Sequence, residues 1–230
     1  MKTRILIVLL MIPLLSISQE KQYGLTMGLN FGKWMGDDDD FAQGLSDEMN
    51  YQEGFSGFSF DSKSRTGFSM GFFYDFPVKK SLSIQPEISY SQKGAKFTGD
   101  GMFSYYGEYY NVKSDMVMRL DYLDVLVLAK YSLTNESDIK PYFVAGLGAG
   151  YLVSSKMKVK VSVDGESDSE TTDIEDCQKM DAHLNFGVGI DFSKALRIDA
   201  RYGLGLSSIF QDESYKLKNG VISVGLAACF

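Results

Sequence analysis

From Tyr23 to Phe31 every second residue is large and apolar. Tyr23, Leu25, Met27, Leu29 and Phe31 form one row, and Gly24, Thr26, Gly28 and Asn30 form the other. A period of two belongs to an extended strand, not to a helix. The same two-row pattern returns in seven further stretches: 67–76, 82–90, 123–131, 142–151, 181–192, 196–206 and 221–230. In the last of these Ile222, Val224, Leu226, Ala228 and Phe230 oppose Val221, Ser223, Gly225, Ala227 and Cys229, so the chain ends on an aromatic residue in a strand. Three details mark the pattern. Phe73 sits on a small-residue row, Leu126 and Leu128 blur the rows of the fourth strand, and Pro86 predicts a local bulge or distortion because it cannot donate to a ladder. Beyond Tyr151 the alternation continues through Met157, Val159, Val161 and Val163, which predicts a strand that projects beyond any membrane before the acidic stretch at 164–176.

The connections alternate in length. Residues 35–64, 92–116, 164–176 and 207–219 read as long loops, and 77–80, 132–139 and 193–195 as short turns. Long structureless loops are uncommon in a compact soluble domain, but long loops at one end and short turns at the other are the rule in outer-membrane barrels. The predicted fold is therefore all-β: an eight-stranded antiparallel up-and-down transmembrane β-barrel with long extracellular loops and short periplasmic turns. Charges on the small-residue row, at Glu87, Arg197, Asp199 and Arg201, place that row inside and the apolar row against lipid. A soluble lipocalin-like barrel would reverse the two faces. This orientation gathers Tyr23, Phe76, Tyr131, Phe143, Phe192 and Phe230 into a girdle at the periplasmic end, with Phe31, Phe68, Tyr90 and Tyr151 near the outer leaflet.

The N-terminus adds a route of export. Lys2 and Arg4 precede an apolar run from Ile5 to Leu15 and small residues at Ser16 and Ser18, the pattern of a signal peptide cut before Gln19. The run is shorter than the 18 or so residues of a membrane helix. The predicted organisation is residues 1–18 as signal peptide and 19–230 as a single barrel domain. The chain carries 23 basic and 30 acidic residues for a net charge of −7, and losing Lys2 and Arg4 makes it more acidic. An acidic chain with one histidine and no basic block excludes nucleic acid as a natural partner. Cys177 and Cys229 fall at opposite ends of the barrel, so they are expected not to pair.

An eight-stranded barrel is just wide enough for side chains to fill its lumen. Glu87, Asp124, Lys130, Asp191, Arg197, Asp199 and Arg201 all project into that space, where charges are tolerable only if paired. They are expected to form a structural network that plugs the lumen; an ion path is the competing reading. His183 has no nucleophile or carboxylate motif arranged around it and is expected to be a hydrogen-bonded lumen residue. Asp37 to Asp40 lack the spacing of a calcium loop and are expected to be solvated. The glycines of GLGAG, 146–150, are followed by more strand, not a helix, and read as small inward residues rather than a nucleotide turn. No catalytic, cofactor-binding or metal-binding residues are expected, and no cofactor.

QPEISYSQKG (85–94), LDYLDVLVLAKY (120–131), KPYFVAGLGAGYL (140–152), FGVGIDF (186–192), RYGLGLSSI (201–209) and NGVISVGLAACF (219–230) together resemble the PorT-like outer-membrane β-barrel family of Gram-negative bacteria. The resemblance covers nearly all of the chain after the leader. It departs at Leu126, where the family commonly has proline. It implies an eight-stranded barrel in the outer membrane. The association of PorT itself with type IX secretion and gliding reaches this chain only by fold-level analogy. The expected function is non-enzymatic: a small structural or interaction barrel, as an envelope or type IX secretion accessory, in contact with outer-membrane lipid and with protein partners through its extracellular loops. A narrow solute or ion pore is the alternative, and a soluble lipocalin-like barrel comes after it.

Overall fold

A computed structural model describes residues 22–133, 139–211 and 215–230. The leader expected at residues 1–18 and most of the turn expected at 132–139 lie outside them. The elements are β1 (Gln22–Gly36), α1 (Asp38–Tyr51), β2 (Phe55–Lys63), β3 (Arg65–Lys79), β4 (Leu82–Tyr105), β5 (Glu108–Ser132), β6 (Lys140–Val163), β7 (Glu166–Asp173), β8 (Met180–Asp191), β9 (Leu196–Gly205) and β10 (Leu217–Cys229). Eight strands form a closed antiparallel ring in the order β4-β3-β1-β10-β9-β8-β6-β5, with β5 returning to β4. The seam joins the first strand to the last, in one unbroken register from Gly24↔Cys229 to Gly36↔Leu217.

The faces follow the alternation. Leu25, Met27, Leu29, Met70, Phe72, Val125, Val127, Leu147, Phe186, Val188, Ile222 and Leu226 are exposed on the outside of the ring, whereas Gln85, Glu87, Asp124, Lys130, Asp181, Arg197 and Asp199 are buried inside it. Apolar outside and charged inside is the reverse of a lipocalin, so the soluble alternative falls. The fourth strand has the register the alternation gave it, with Leu126 and Leu128 inside. Phe73 is also inside, buried with Ala227 and Cys229. Around the end that carries Gln22 and Phe230, Tyr23 meets Phe230 at 6.0 Å and Tyr74 at 6.5 Å, and Tyr74 meets Phe76 at 4.3 Å between ring centroids. At Pro86 the strand shows a local distortion of the ladder rather than a bulge. The β3–β4 register is the same on both sides of it, and the ladder simply lacks pairs between Phe73↔Glu87 and Phe76↔Ile84; the shift falls instead at Pro77/Lys79.

The far end differs from the expected set of long loops. A strand crosses a bilayer in about 9–11 residues, yet β4, β5 and β6 have 24, 25 and 24. Residues 92–116 are mostly the upper halves of β4 and β5, joined by a turn with Tyr106 at φ 49° and Gly107 at φ 84°. Asp164 and Gly165, at φ 47° and 96°, turn β6 into β7 inside the stretch expected to be an acidic loop. Positive φ at both central residues is the hairpin geometry that matches strand twist. β2 adds to the other edge along β4.

Residues 35–64 hold α1 as well as β2. Phe41, Ala42, Leu45 and Met49 recur at helical spacing and point into an apolar cap with Trp34, Phe58, Phe60, Phe97, Leu120, Leu152 and Leu217. Asp38, Asp39 and Asp40 fall in the first helical turn, where acidic groups complement the helix dipole. Asp37 accepts a hydrogen bond from the Lys216 amide at 2.9 Å, and Asp38 pairs with Lys33 at 3.2 Å. Those aspartates therefore start a helix rather than a solvated loop. Side chains tie α1 to β2: Asn50 bonds both the amide and the carbonyl of Phe58, at 2.8 and 2.9 Å, and Ser46 Oγ accepts from the Phe60 amide at 2.9 Å. Gly99 makes room for this packing, because a Cβ there would lie 2.7 Å from the Phe60 ring.

Trp34 is fully buried at the centre of the cap, with edge-on contacts to Phe41, Phe97 and Phe210 at 5.8, 5.6 and 5.5 Å. Truncating a buried aromatic leaves a cavity that costs about 3–5 kcal/mol. Trp34→Ala is therefore expected to lower the urea-unfolding free energy in detergent micelles by about that amount while the membrane-facing ring still forms. An unchanged unfolding curve would contradict the packing described.

Candidate functional site

The lumen contains three clusters of charge, stacked along the barrel by the strand register. Nearest the chain termini, the Arg197 guanidinium on β9 is buried between two carboxylates: Nη2 pairs with Asp75 at 2.7 Å and Nε with Asp191 at 2.7 Å. Nη1 donates to Gln85 at 3.0 Å. Lys130 shares both acids, at 2.8 Å to Asp191 and 3.7 Å to Asp75. Aromatic faces complete the cluster. The Phe73 ring lies 4.8 Å from Arg197, and the Tyr142 ring 4.4 Å from Lys130.

Next, Arg201 bridges Glu87 at 2.8 Å and Asp199 at 3.0 Å, and the Tyr142 hydroxyl donates to Asp199 at 3.0 Å. Toward the cap, Lys93 holds Asp124 and Asp181, each at 3.1 Å, beneath the Tyr122 ring at 4.6 Å. Asn219 donates to Asp181 at 3.2 Å. Between the second and third clusters lies a polar cavity of about 70 Å³ bordered by Arg201, His183, Asn185 and Asn219. It has room for a few waters.

The seven charged residues predicted from the alternation all face the lumen, and six of them are linked, because Gln85 accepts from Arg197 at 3.0 Å and donates to Glu87 at 3.2 Å. Lys130, Asp191 and Arg197 share the first cluster, Glu87, Asp199 and Arg201 form the second, and Asp124 stands apart in the third. Three partners were missed. Asp75 and Asp181 lie on rows already read as inward, and their carboxylates were the available signal. Lys93 lies in a stretch read as loop, so its side had no assignment. His183 is buried beside the third cluster, its Nδ1 3.4 Å from the Asp181 carbonyl. Gly148 faces the His183 ring so closely that any Cβ would overlap it, which accounts for one glycine of 146–150.

Both ends of this polar interior are closed. Arg197, Tyr142 and Phe73 fill one end, and Trp34, Leu120, Leu152 and Leu217 the other, all nearly inaccessible to solvent. Every lumen cation has carboxylate partners, while Asp75 Oδ1 and Arg201 Nε make no hydrogen bond among the described residues. Among the described residues no group of three or more His, Cys, Asp or Glu is arranged to hold a metal. Cys177 and Cys229 are both free and buried. Cys177 lies in the cap, where burial pushes its thiol pKa up, so it is poorly disposed to react.

The family described as outer membrane protein beta-barrel domain matches residues 17–211. No curated protein matches the chain significantly. Among solved structures, the attachment invasion locus protein Ail of Yersinia pestis is 18% identical, with 92% of this chain and 100% of that chain covered at a TM-score of 0.42. Neisserial surface protein A is 13% identical, with coverages of 92% and 100% and a TM-score of 0.39. OprG of Pseudomonas aeruginosa is 11% identical, with coverages of 92% and 97% and a TM-score of 0.35.

Removing one member of a buried ion pair costs about 3–5 kcal/mol, whereas replacing the whole group with apolar side chains is often neutral. Arg197→Met is therefore expected to destabilise the barrel by about that range, and the combination Arg197→Met, Lys130→Met, Asp75→Leu, Asp191→Leu, which replaces all four charges of the cluster, to recover at least half of the loss. Urea titration in micelles checks both. Equal losses would mean that the pairing contributes little.

Proposed function

The chain belongs to the outer membrane protein beta-barrel domain family, and on that premise we propose that this outer-membrane β-barrel protein is a non-conducting interaction barrel of the Gram-negative envelope. The closed lumen carries the reading. A pore needs a continuous hydrated path, and here Arg197, Tyr142 and Phe73 fill one end while the Trp34 cap fills the other. The charges inside pair with one another and leave one small cavity, so their role is structural. The sequence invests instead in the far end, where a helix and a five-stranded sheet, β2-β4-β5-β6-β7, make a built surface. That end is read as facing the exterior, because Gln22, Phe230 and the short connections at 80–81 and 192–195 lie at the opposite end, where outer-membrane barrels keep their short periplasmic turns. A role without catalysis accords with ion-paired lumen residues, and protein partners would meet the cap. A secretion accessory role of the kind associated with PorT is one form of such an interaction.

Two measurements test the proposal. Outer membranes containing the full chain should yield a heat-dependent shift in gel mobility, and the purified barrel should be silent in planar bilayers. Arg201→Ala, which enlarges the cavity but leaves both ends closed, should be silent too. Stepwise conductance from the unmodified barrel, abolished or altered by Arg197→Ala, would replace this reading with the pore.

A further inference from the structure

The outward face of the raised sheet carries its charges in an order that the chain's overall acidity hides. Cross-strand partners define rows. The lowest row above the lipid-facing belt runs Gly94, Arg119, Lys156, Asp173, and the next runs Lys63, Lys96, Val117, Lys158, Thr171. Above them come Asp61, Thr98, Asp115, Lys160 and Ser169, then Ser59, Asp100, Lys113, Ser162 and Ser167. The two lower rows thus hold five cations and one acid; the two upper rows hold three acids and two cations. Lys63 and Lys96 pair with Asp61 and Asp115 of the row above, at 3.3 and 3.1 Å, and Arg119 with the buried Asp121 at 2.7 Å, while Glu175 and Asp176 follow Asp173 in the chain.

Position relative to the bilayer gives this order a meaning. Tyr90 and Tyr151 lie across from Leu123 at the top of the apolar belt, where tyrosines mark the interface. Arg119 reaches back to the Tyr90 hydroxyl at 3.4 Å. On strands tilted near 45°, the four residues from Tyr90 to Gly94 rise about 9 Å, which is headgroup depth rather than open water. Lys156 and Lys158 are exposed, and neither forms a salt bridge among the described residues. Exposed cations without partners, just above an aromatic girdle and directed sideways, face the leaflet around the barrel.

We propose that these two rows bind the phosphate-bearing headgroups of lipids in the surrounding outer leaflet. The inference rests on the membrane placement given above. Each lysine near an anionic surface is worth roughly a fivefold preference. The full chain is placed in phosphatidylcholine nanodiscs doped with phosphatidylglycerol, and the lipids retained on the barrel are counted by native mass spectrometry. The unmodified barrel should retain phosphatidylglycerol in excess. Lys156→Gln/Lys158→Gln should cut that excess by roughly fivefold for each lysine. Lys113→Gln/Lys160→Gln, the same charge change higher on the sheet, should cut it less than twofold, and millimolar inorganic phosphate should not displace the lipid. Equal losses in the two variants would reduce the effect to net charge and overturn the proposal, as would retention with no preference, or release by phosphate. A chain that enters no bilayer would overturn the membrane reading along with it; an inserted barrel with no preference overturns this inference alone.

Discussion

The constraint behind the whole structure is the hydrogen-bond seam between β1 and β10. Hydrocarbon offers no partner for a backbone amide, so a sheet in a membrane has to close on itself. Here the closure pairs residues near the start of the folded chain with its last strand in a single register. Closure at eight strands then sets the lumen width, and that width admits little but side chains. Glycines, serines and short polar residues therefore line much of the inside. The few long side chains that enter, Arg197, Arg201, Lys93 and Lys130, are each held by at least two carboxylates. The lumen chemistry follows from ring size.

Those ion pairs also connect strands that are not neighbours in the ring. Arg197 on β9 meets Asp75 on β3, Arg201 on β9 meets Glu87 on β4, and Lys93 on β4 meets Asp181 on β8. Backbone ladders hold adjacent strands only, so these contacts brace the wall across its diameter. In a space shielded from water, such a brace is strong when complete and costly when broken. That accounts for an interior with three compact clusters rather than scattered charges.

The membrane-spanning part was legible in the sequence because the bilayer imposes a strict rule on each alternate residue. Even the ambiguous strand around Leu126 keeps the register that its flanking Asp124 and Lys130 indicate. The far end obeys a different rule, since water lies on one side and a local core on the other, and the alternation there mixes charged and apolar residues. Two signals were present all the same. Asp164–Gly165 is a strong hairpin dipeptide, and Phe41, Leu45 and Met49 have helical spacing, masked by the preceding run of aspartates. Lys93 could not be placed until the strand was known to continue beyond it, and Asp75 and Asp181 could be placed but not paired, because pairing across a ring depends on curvature that one-dimensional alternation does not contain.

One irregularity carries a consequence for how this chain can vary. In β6 the register against β5 shifts between Asp121 and Tyr122, where Asp121 faces Ser154 and Tyr122 faces Leu152, so that Val153 is the extra residue. Below it even-numbered residues point inward, as at Tyr142, Val144 and Leu152; above it Met157 and Val163 turn toward the cap and the lysines turn out. That single residue is what lets one continuous strand satisfy lipid below and an aqueous face above. Because strand faces have a period of two, losing or gaining one residue between Val153 and the turn would exchange the inside and outside of everything beyond it. Relatives of this barrel should therefore differ in the height of the β6–β7 hairpin by even numbers of residues, with odd changes found only where a compensating bulge accompanies them.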